Sequence, residues 1–170
     1  FDPKQLWSNT DSKKLSTINK IILRQTGDKI TATLEKEGIY CMDTVHLVYE
    51  TIYDFHYLLG VINSKFFNLL HSKLVPEIGK AFAEVKIANL QKIPVPIINR
   101  EKTSDKSRHD HIVKLVEQML STKEKLASAK LESERDRLEM MCEALDRQID
   151  DAVYQLYGLT EEEIKIIEGK

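Results

Sequence analysis

Between residues 18 and 50 the chain reads as short β-branched and apolar runs, at 18–25, 29–34, 38–42 and 44–50, separated by Thr26-Gly27-Asp28 and Lys36-Glu37-Gly38. Runs of that length bounded by turn residues predict a meander of short strands. In the last run Val45, Leu47 and Tyr49 alternate with Thr44, His46 and Glu50, the period of a strand buried on one face. The period then lengthens. Leu58, Ile62, Phe66, Leu69 and Leu70 recur at helical spacing behind Asp54, which predicts one helix, capped by that aspartate and packed on the sheet. Gly60 inside it costs about 1 kcal/mol of helix propensity relative to Ala, a cost that close approach of another backbone would offset.

The stretch GKAFAEVKIANLQKIPVPII, residues 79–98, follows a glycine-bearing loop with a charged segment and then an apolar run holding Pro94 and Pro96. Prolines at alternate positions leave both missing N–H groups on one side, so the run predicts an edge strand or an extended wrap where the chain leaves a domain. Beyond Pro96 there is no Gly or Pro until Gly158, and the apolar period becomes heptad-like. Ile112, Val116, Met119, Lys123 and Leu126 form one register, and Leu138, Cys142, Leu145, Ile149, Ala152 and Leu156 form another that does not continue the first. This break predicts two antiparallel helices joined near residues 128–133, with Ser133 and Asp136 resembling a capping box. Thr160 and Glu163 mark a short third helix with Ile164 and Ile167 on its apolar side. The fold class is therefore α+β: a short-strand mixed β-sheet with one packed helix over residues 1–106, then a long antiparallel helical hairpin over 107–170.

With 170 residues, 42% hydrophobic and 31% charged, the chain can bury one core and is not disordered. No apolar run approaches the roughly 20 residues that cross a bilayer, and the opening FDPKQLW has neither an initiating Met nor a signal pattern. A cytoplasmic piece of a larger protein, with no membrane partner, is expected. Cys41 and Cys142 lie far apart among apolar neighbours, which favours buried free thiols over a disulfide. The net charge of -2 conceals an asymmetry: residues 1–108 carry 16 basic against 12 acidic side chains, and residues 109–170 carry 9 against 15. The first part suits a polyanion, and the second suits protein contacts.

Catalytic signatures are missing. There is no Gly-rich phosphate loop, no G-x-S-x-G and no C-x-x-C. His109 and His111 have no further His or Cys near them in sequence and read as a solvated helix start. Glu84-Val85-Lys86 has the spacing of half a metal-dependent nuclease site, but that spacing is common and no Pro-Asp strand precedes it suitably. Basic residues run through the first part as Lys13, Lys14, Lys20, Arg24, Lys29, Lys65, Lys73, Lys80, Lys86 and Lys92, interleaved with Gln25, Thr26, Asn63 and Ser64. Side chains of these types address phosphates and base edges.

KIILRQTGDKITATLEKEGIYCMDTVHLV, the block from YLLGVINSK to KIPVP, and the ending IDDAVYQLYGLTEEEIKIIE together resemble the TaqI-like C-terminal specificity domain of combined restriction-modification enzymes. The order of parts is also similar to half of a type I specificity subunit. The resemblance implies a target-recognition domain for double-stranded DNA, followed by a helical spacer. It also implies a methyltransferase domain of the same chain, outside these residues, that methylates adenine with S-adenosylmethionine, and it leaves open a Mg²⁺-dependent cleavage activity there. The chain itself has no Asn/Asp-Pro-Pro-Tyr/Phe motif, so no catalytic residue and no cofactor is expected on it.

In the same reading KIPVPII is the edge strand closing the recognition domain, and GKAFAEVK is a loop at the DNA-facing rim. Arg24, Gln25, Thr26, Lys29, Lys65, Lys80, Glu84 and Lys86 are then the expected DNA-binding residues. Against this stands a protein-interaction module whose acidic helical hairpin docks to a partner or to itself, as a helix-mediated dimer, with Lys123 helping to set register.

Overall fold

A computed structural model describes residues 17–41, 44–75 and 84–169. β1 (Lys20–Arg24) is the central strand of a three-stranded sheet, with β2 (Ala32–Glu35) on one side and β3 (Val45–Val48) on the other. Both pairings are antiparallel, a narrower form than the mixed sheet expected; Ile22 lies opposite Thr33 and Leu47. The run expected as a strand at 38–42 is none over 38–41, and its remaining position lies outside the described residues. Gly38 turns at φ +75°, and the carbonyl of Ile39 accepts a 2.7 Å hydrogen bond from the Lys20 ammonium.

The single helix expected after the sheet is two. Asp54 caps α1 (Phe55–Asn63), its carboxylate accepting from the amides of His56 and Tyr57 at 2.8 and 3.1 Å. Ser64, at φ −63° and ψ 152°, then breaks the helix. Its hydroxyl donates to the Val61 carbonyl at 2.7 Å and accepts from the Phe67 amide at 3.2 Å, so one side chain ends α1 and starts α2 (Lys65–Leu74). Asn63 and Asn68 bind the sheet to these helices. Asn63 exchanges two hydrogen bonds with the backbone of Ala32, at 2.9 and 3.0 Å, and Asn68 accepts from the Ile30 amide at 2.7 Å.

One helical turn, α3 (Ile87–Leu90), precedes the proline run. Residues 94–99 form no strand and no helix, so the edge-strand expectation is not met and the run crosses the protein as irregular chain. Tyrosine hydroxyls hold that run: Tyr157 donates to the Pro94 carbonyl at 2.7 Å, Tyr53 to Val95 at 3.1 Å and Tyr57 to Pro96 at 2.9 Å. Proline removes ladder donors and not acceptors, so its carbonyls still take side-chain donors. Burial raises the Tyr57 phenol above its ordinary pKa and pushes Tyr157 up to about 12, so both remain donors.

The hairpin forms as expected from α4 (Thr103–Ser128) and α5 (Glu132–Tyr157), and α6 (Glu161–Glu168) opens with the full Thr160–Glu163 capping box. The α5 register is as read, with Leu138, Cys142, Leu145, Ile149 and Ala152 buried. In α4 the buried set is Ile112, Leu115, Val116 and Thr122, and Lys123 is exposed, because a helix of 3.6 residues per turn drifts from a strict heptad. Leu131 and not Ser133 sits at the N-cap of α5, with no side-chain cap, so the expected Ser133–Asp136 box is absent. Cys142 is a buried free thiol and Cys41 a half-buried one.

The core is continuous: Ile21 and Leu23 of β1, Tyr57 to Ile62 of α1, Ile112 and Val116 of α4, and Ile149 and Val153 of α5 belong to one cluster. Gly60 permits this. A Cβ there would lie 2.9 Å from the Cγ2 methyls of both Ile112 and Val116, so the close approach predicted for this glycine is by side chains of α4 and not by a backbone.

Candidate functional site

The turn after β1 and the segment before α3 meet at one end of the sheet. Thr26 and Glu84 form an isolated antiparallel bridge, and the Val85 amide donates to the Gln25 carbonyl at 2.8 Å. The turn is also anchored on both flanks, by the Arg24 amide on the Thr31 carbonyl (3.0 Å) and the Gln25 amide on the Thr44 carbonyl (3.2 Å). Val85 is 1% exposed and belongs to the core, while Glu84 and Lys86 on either side of it are exposed. Alternate residues of an extended chain project to opposite faces, so burying Val85 sends its two neighbours outward together.

Of the expected site residues, Arg24, Gln25, Thr26, Lys29, Glu84 and Lys86 thus come together from two stretches some 60 residues apart. Arg24, Thr26 and Lys29 are exposed and Gln25 is half-buried. Lys80 lies outside the described residues. The edge carries three cations, Arg24, Lys29 and Lys86, against the carboxylates of Asp28 and Glu84, a mild positive excess with donors and acceptors interspersed. Beside it, a cavity of about 430 Å³ opens between β3, α1 and α3; its lining is apolar apart from His46, Tyr49 and Gln91.

Lys65 does not join this edge. Its ammonium lies 3.0 Å from Glu168 Oε1 of α6 and 3.6 Å from Asp150 Oδ2 of α5, and its amide donates to Asp150 Oδ1 at 2.8 Å. Asp150 therefore caps α2 from another helix, an anion at a helix N-terminus. The Glu168 hydrogen bond, foremost, raises the lysine pKa. Burial pushes the Asp150 carboxyl above its ordinary value despite the opposing Lys65 contacts. Glu168 also accepts from the Tyr154 hydroxyl at 2.8 Å, so Lys65 tethers α6 to the body of the protein.

Three other residues read as polyanion contacts are structural. Lys20 is 0% exposed and paired with Glu35 at 3.2 Å. Asn63 is occupied by Ala32, and Ser64 is a buried cap.

His46 escaped the sequence reading as anything but a polar position in an alternating strand. Its Nε2 hydrogen-bonds the Val85 carbonyl. The partner lies 39 residues away, so no local pattern signals it. His109 contacts the Asp110 carboxylate at 2.9 Å and lies with its ring centroid 5.1 Å from that of Tyr57. Among the described residues no group of three His, Cys, Asp or Glu is placed to hold a metal ion, so none of them joins Glu84 in such a cluster. Among the same residues no helix is long and apolar enough to cross a membrane.

The family model described as the TaqI-like C-terminal specificity domain matches residues 1–95. No curated protein matches. A solved structure, the type IIL restriction-modification enzyme MmeI in complex with DNA, superposes with a TM-score of 0.59 at 10% identity over 94% of this chain. The chain spans 22% of that enzyme's length, and the superposition includes the helical part beyond the family match.

Proposed function

This chain belongs to the family of TaqI-like C-terminal specificity domains, and we propose that it reads a short sequence in duplex DNA through the edge where the Arg24–Lys29 turn meets Glu84–Lys86. The observation that carries this is the Thr26–Glu84 bridge, because it gathers two separate stretches into one exposed, mildly basic edge with base-addressing side chains. Arg24, Lys29 and Lys86 suit phosphates or guanine O6 and N7, Gln25 suits adenine, and Glu84 accepts from a cytosine amino group; each good base contact discriminates by about 1–3 kcal/mol. Fold likeness to an enzyme solved with DNA supports the same reading. On this reading residues 1–106 carry the reading surface and 107–170 the spacer.

The longer enzyme would methylate adenine with S-adenosylmethionine in a domain outside these residues, rotating the base out of the duplex, and any Mg²⁺-dependent cleavage would belong to a further domain. Neither group is assigned to this chain, whose described residues offer no metal-binding cluster. The test is selection of this chain on a randomised duplex pool at low salt, followed by titration of the recovered sequence. Recognition predicts an enriched motif. With three cations on phosphates, it also predicts that log affinity falls with log salt at a slope of about −3. Retention without enrichment, or a slope near zero, would sink this reading.

A protein contact through the hairpin is a compatible second role, favoured by the exposure of Leu131, Met140 and Met141 (67%, 69% and 45%) on that element. Sedimentation of the chain at rising concentration tests its self-association form: a dimer that dissociates on Met140→Glu supports it, and a monomer throughout removes dimerisation.

A further inference from the structure

We propose that His46 is a positioning residue for DNA reading, fixing the direction in which Glu84 and Lys86 project without itself touching DNA. The inference rests on the recognition reading above. Val85 is held at both of its backbone groups: its N–H donates to the Gln25 carbonyl at 2.8 Å, and its C=O takes a hydrogen bond from His46 Nε2. A carbonyl only accepts, so Nε2 carries the hydrogen and the neutral ring is the Nε2–H tautomer. The two partners belong to different parts of the sheet. Gln25 follows β1, whereas His46 lies within β3, where it faces Leu23 across the ladder.

The segment is thus fixed against both strands by a residue whose own side chain is buried in the core. An antiparallel bridge of one residue pair cannot set register by itself, since a ladder gains definition from successive pairs. Here the Thr26–Glu84 bridge has no strand continuing from it among the described residues, and the histidine supplies a second fixed point beside it. Losing that point leaves Glu84 and Lys86 on the protein with their charges unchanged, but frees the carbonyl between them. Phosphate attraction tolerates such looseness, whereas hydrogen bonds to base edges do not.

Two variants separate positioning from mere stability. His46→Leu removes the donor, and His46→Gln returns an amide N–H at nearly the same reach. Each is measured, with the unaltered chain, for affinity to the recovered motif, affinity to a scrambled duplex, thermal midpoint and hydrogen exchange at the Val85 amide. Positioning predicts that His46→Leu lowers the motif-to-scrambled ratio by about tenfold or more, the scale of one lost base contact. Scrambled-duplex affinity should stay within about twofold, exchange at Val85 should quicken, and His46→Gln should restore most of the ratio. An unchanged ratio in His46→Leu overturns the proposal alone, as does an equal loss on both duplexes that follows the thermal midpoint. An unaltered chain that enriches no motif overturns the recognition reading and this proposal with it.

Discussion

Lys20 shows how a single residue can carry the right type and the opposite role. Among ten basic residues it looked like a surface cation, yet it is 0% exposed and meets Glu35 at 3.2 Å across the β1–β2 pair. Burial acts to raise the Glu35 carboxyl, but the amides of Glu37 and Ile39 and the Lys20 ammonium outweigh it, and its pKa lies below the ordinary 4.5. A carboxyl depressed in the folded state contributes stability that is complete above 4.5 and is lost as pH falls from there through the lower folded value. The thermal midpoint should therefore drop below pH 4.5, and Glu35→Gln should remove that part of the pH dependence. Lys20→Met leaves the buried carboxylate its amide partners but no cation, and should cost about 3–5 kcal/mol. Urea unfolding at pH 7 checks this; a cost under about 1 kcal/mol would show that the pair is solvated in practice. DNA affinity at that pH, measured on the folded fraction, should not change, because the Lys20 ammonium never faces solvent.

At the scale of elements, the block Leu-Leu-Gly-x-x-Asn-Ser-Lys is where the sequence was most specific and least understood. Each polar member turns out to have a structural partner: Asn63 on the Ala32 backbone, Ser64 between two helices, and Lys65 on Asp150 and Glu168. Only the Asp54 and Thr160 caps were legible beforehand, because a cap is settled within four residues, whereas the Lys65 partners lie 85 and 103 residues away. Ser64 also shows why one periodic apolar run became two helices: a serine able to bond both preceding carbonyl and following amide competes with helix continuation. Gly60 gives the sharpest test. Gly60→Ala gains about 1 kcal/mol of helix propensity but drives a methyl against Ile112 and Val116, and such overpacking costs about 1–3 kcal/mol. A lowered thermal midpoint is expected. Adding Val116→Ala should make the double variant less unstable than the two single losses summed, a coupling that a double-mutant cycle measures. Strict additivity would mean that the two residues do not press on each other.

For the whole molecule, the sequence divided the chain at residue 106 by texture, and the core runs across that division. Texture changes there because the strand and turn residues stop, but burial does not. α1 is buried from Tyr57 through Ile62, and its far side is covered by Ile112 and Val116 of α4 and reached by Ile149 of α5. Tyr157 of α5 reaches back to the Pro94 carbonyl, and Phe66 meets its ring edge-on with centroids 4.7 Å apart. Contacts of this kind are invisible to periodicity, which reports that a face is apolar and not which face it meets. The consequence is testable by cutting the chain after residue 106. Exposing several large α1 side chains at roughly 1.5–3 kcal/mol each would cancel most of a net stability of about 5–15 kcal/mol. The 1–106 piece should then bind an apolar dye and melt without a cooperative transition, while residues 1–170 unfold in one step. Mixing it with a separate 107–170 peptide should restore the transition in proportion to peptide concentration, since the missing cover is then resupplied by mass action. A cooperative 1–106 piece with an unchanged midpoint would instead make the hairpin a true appendage, and the recognition edge would then be a property of the first 106 residues alone.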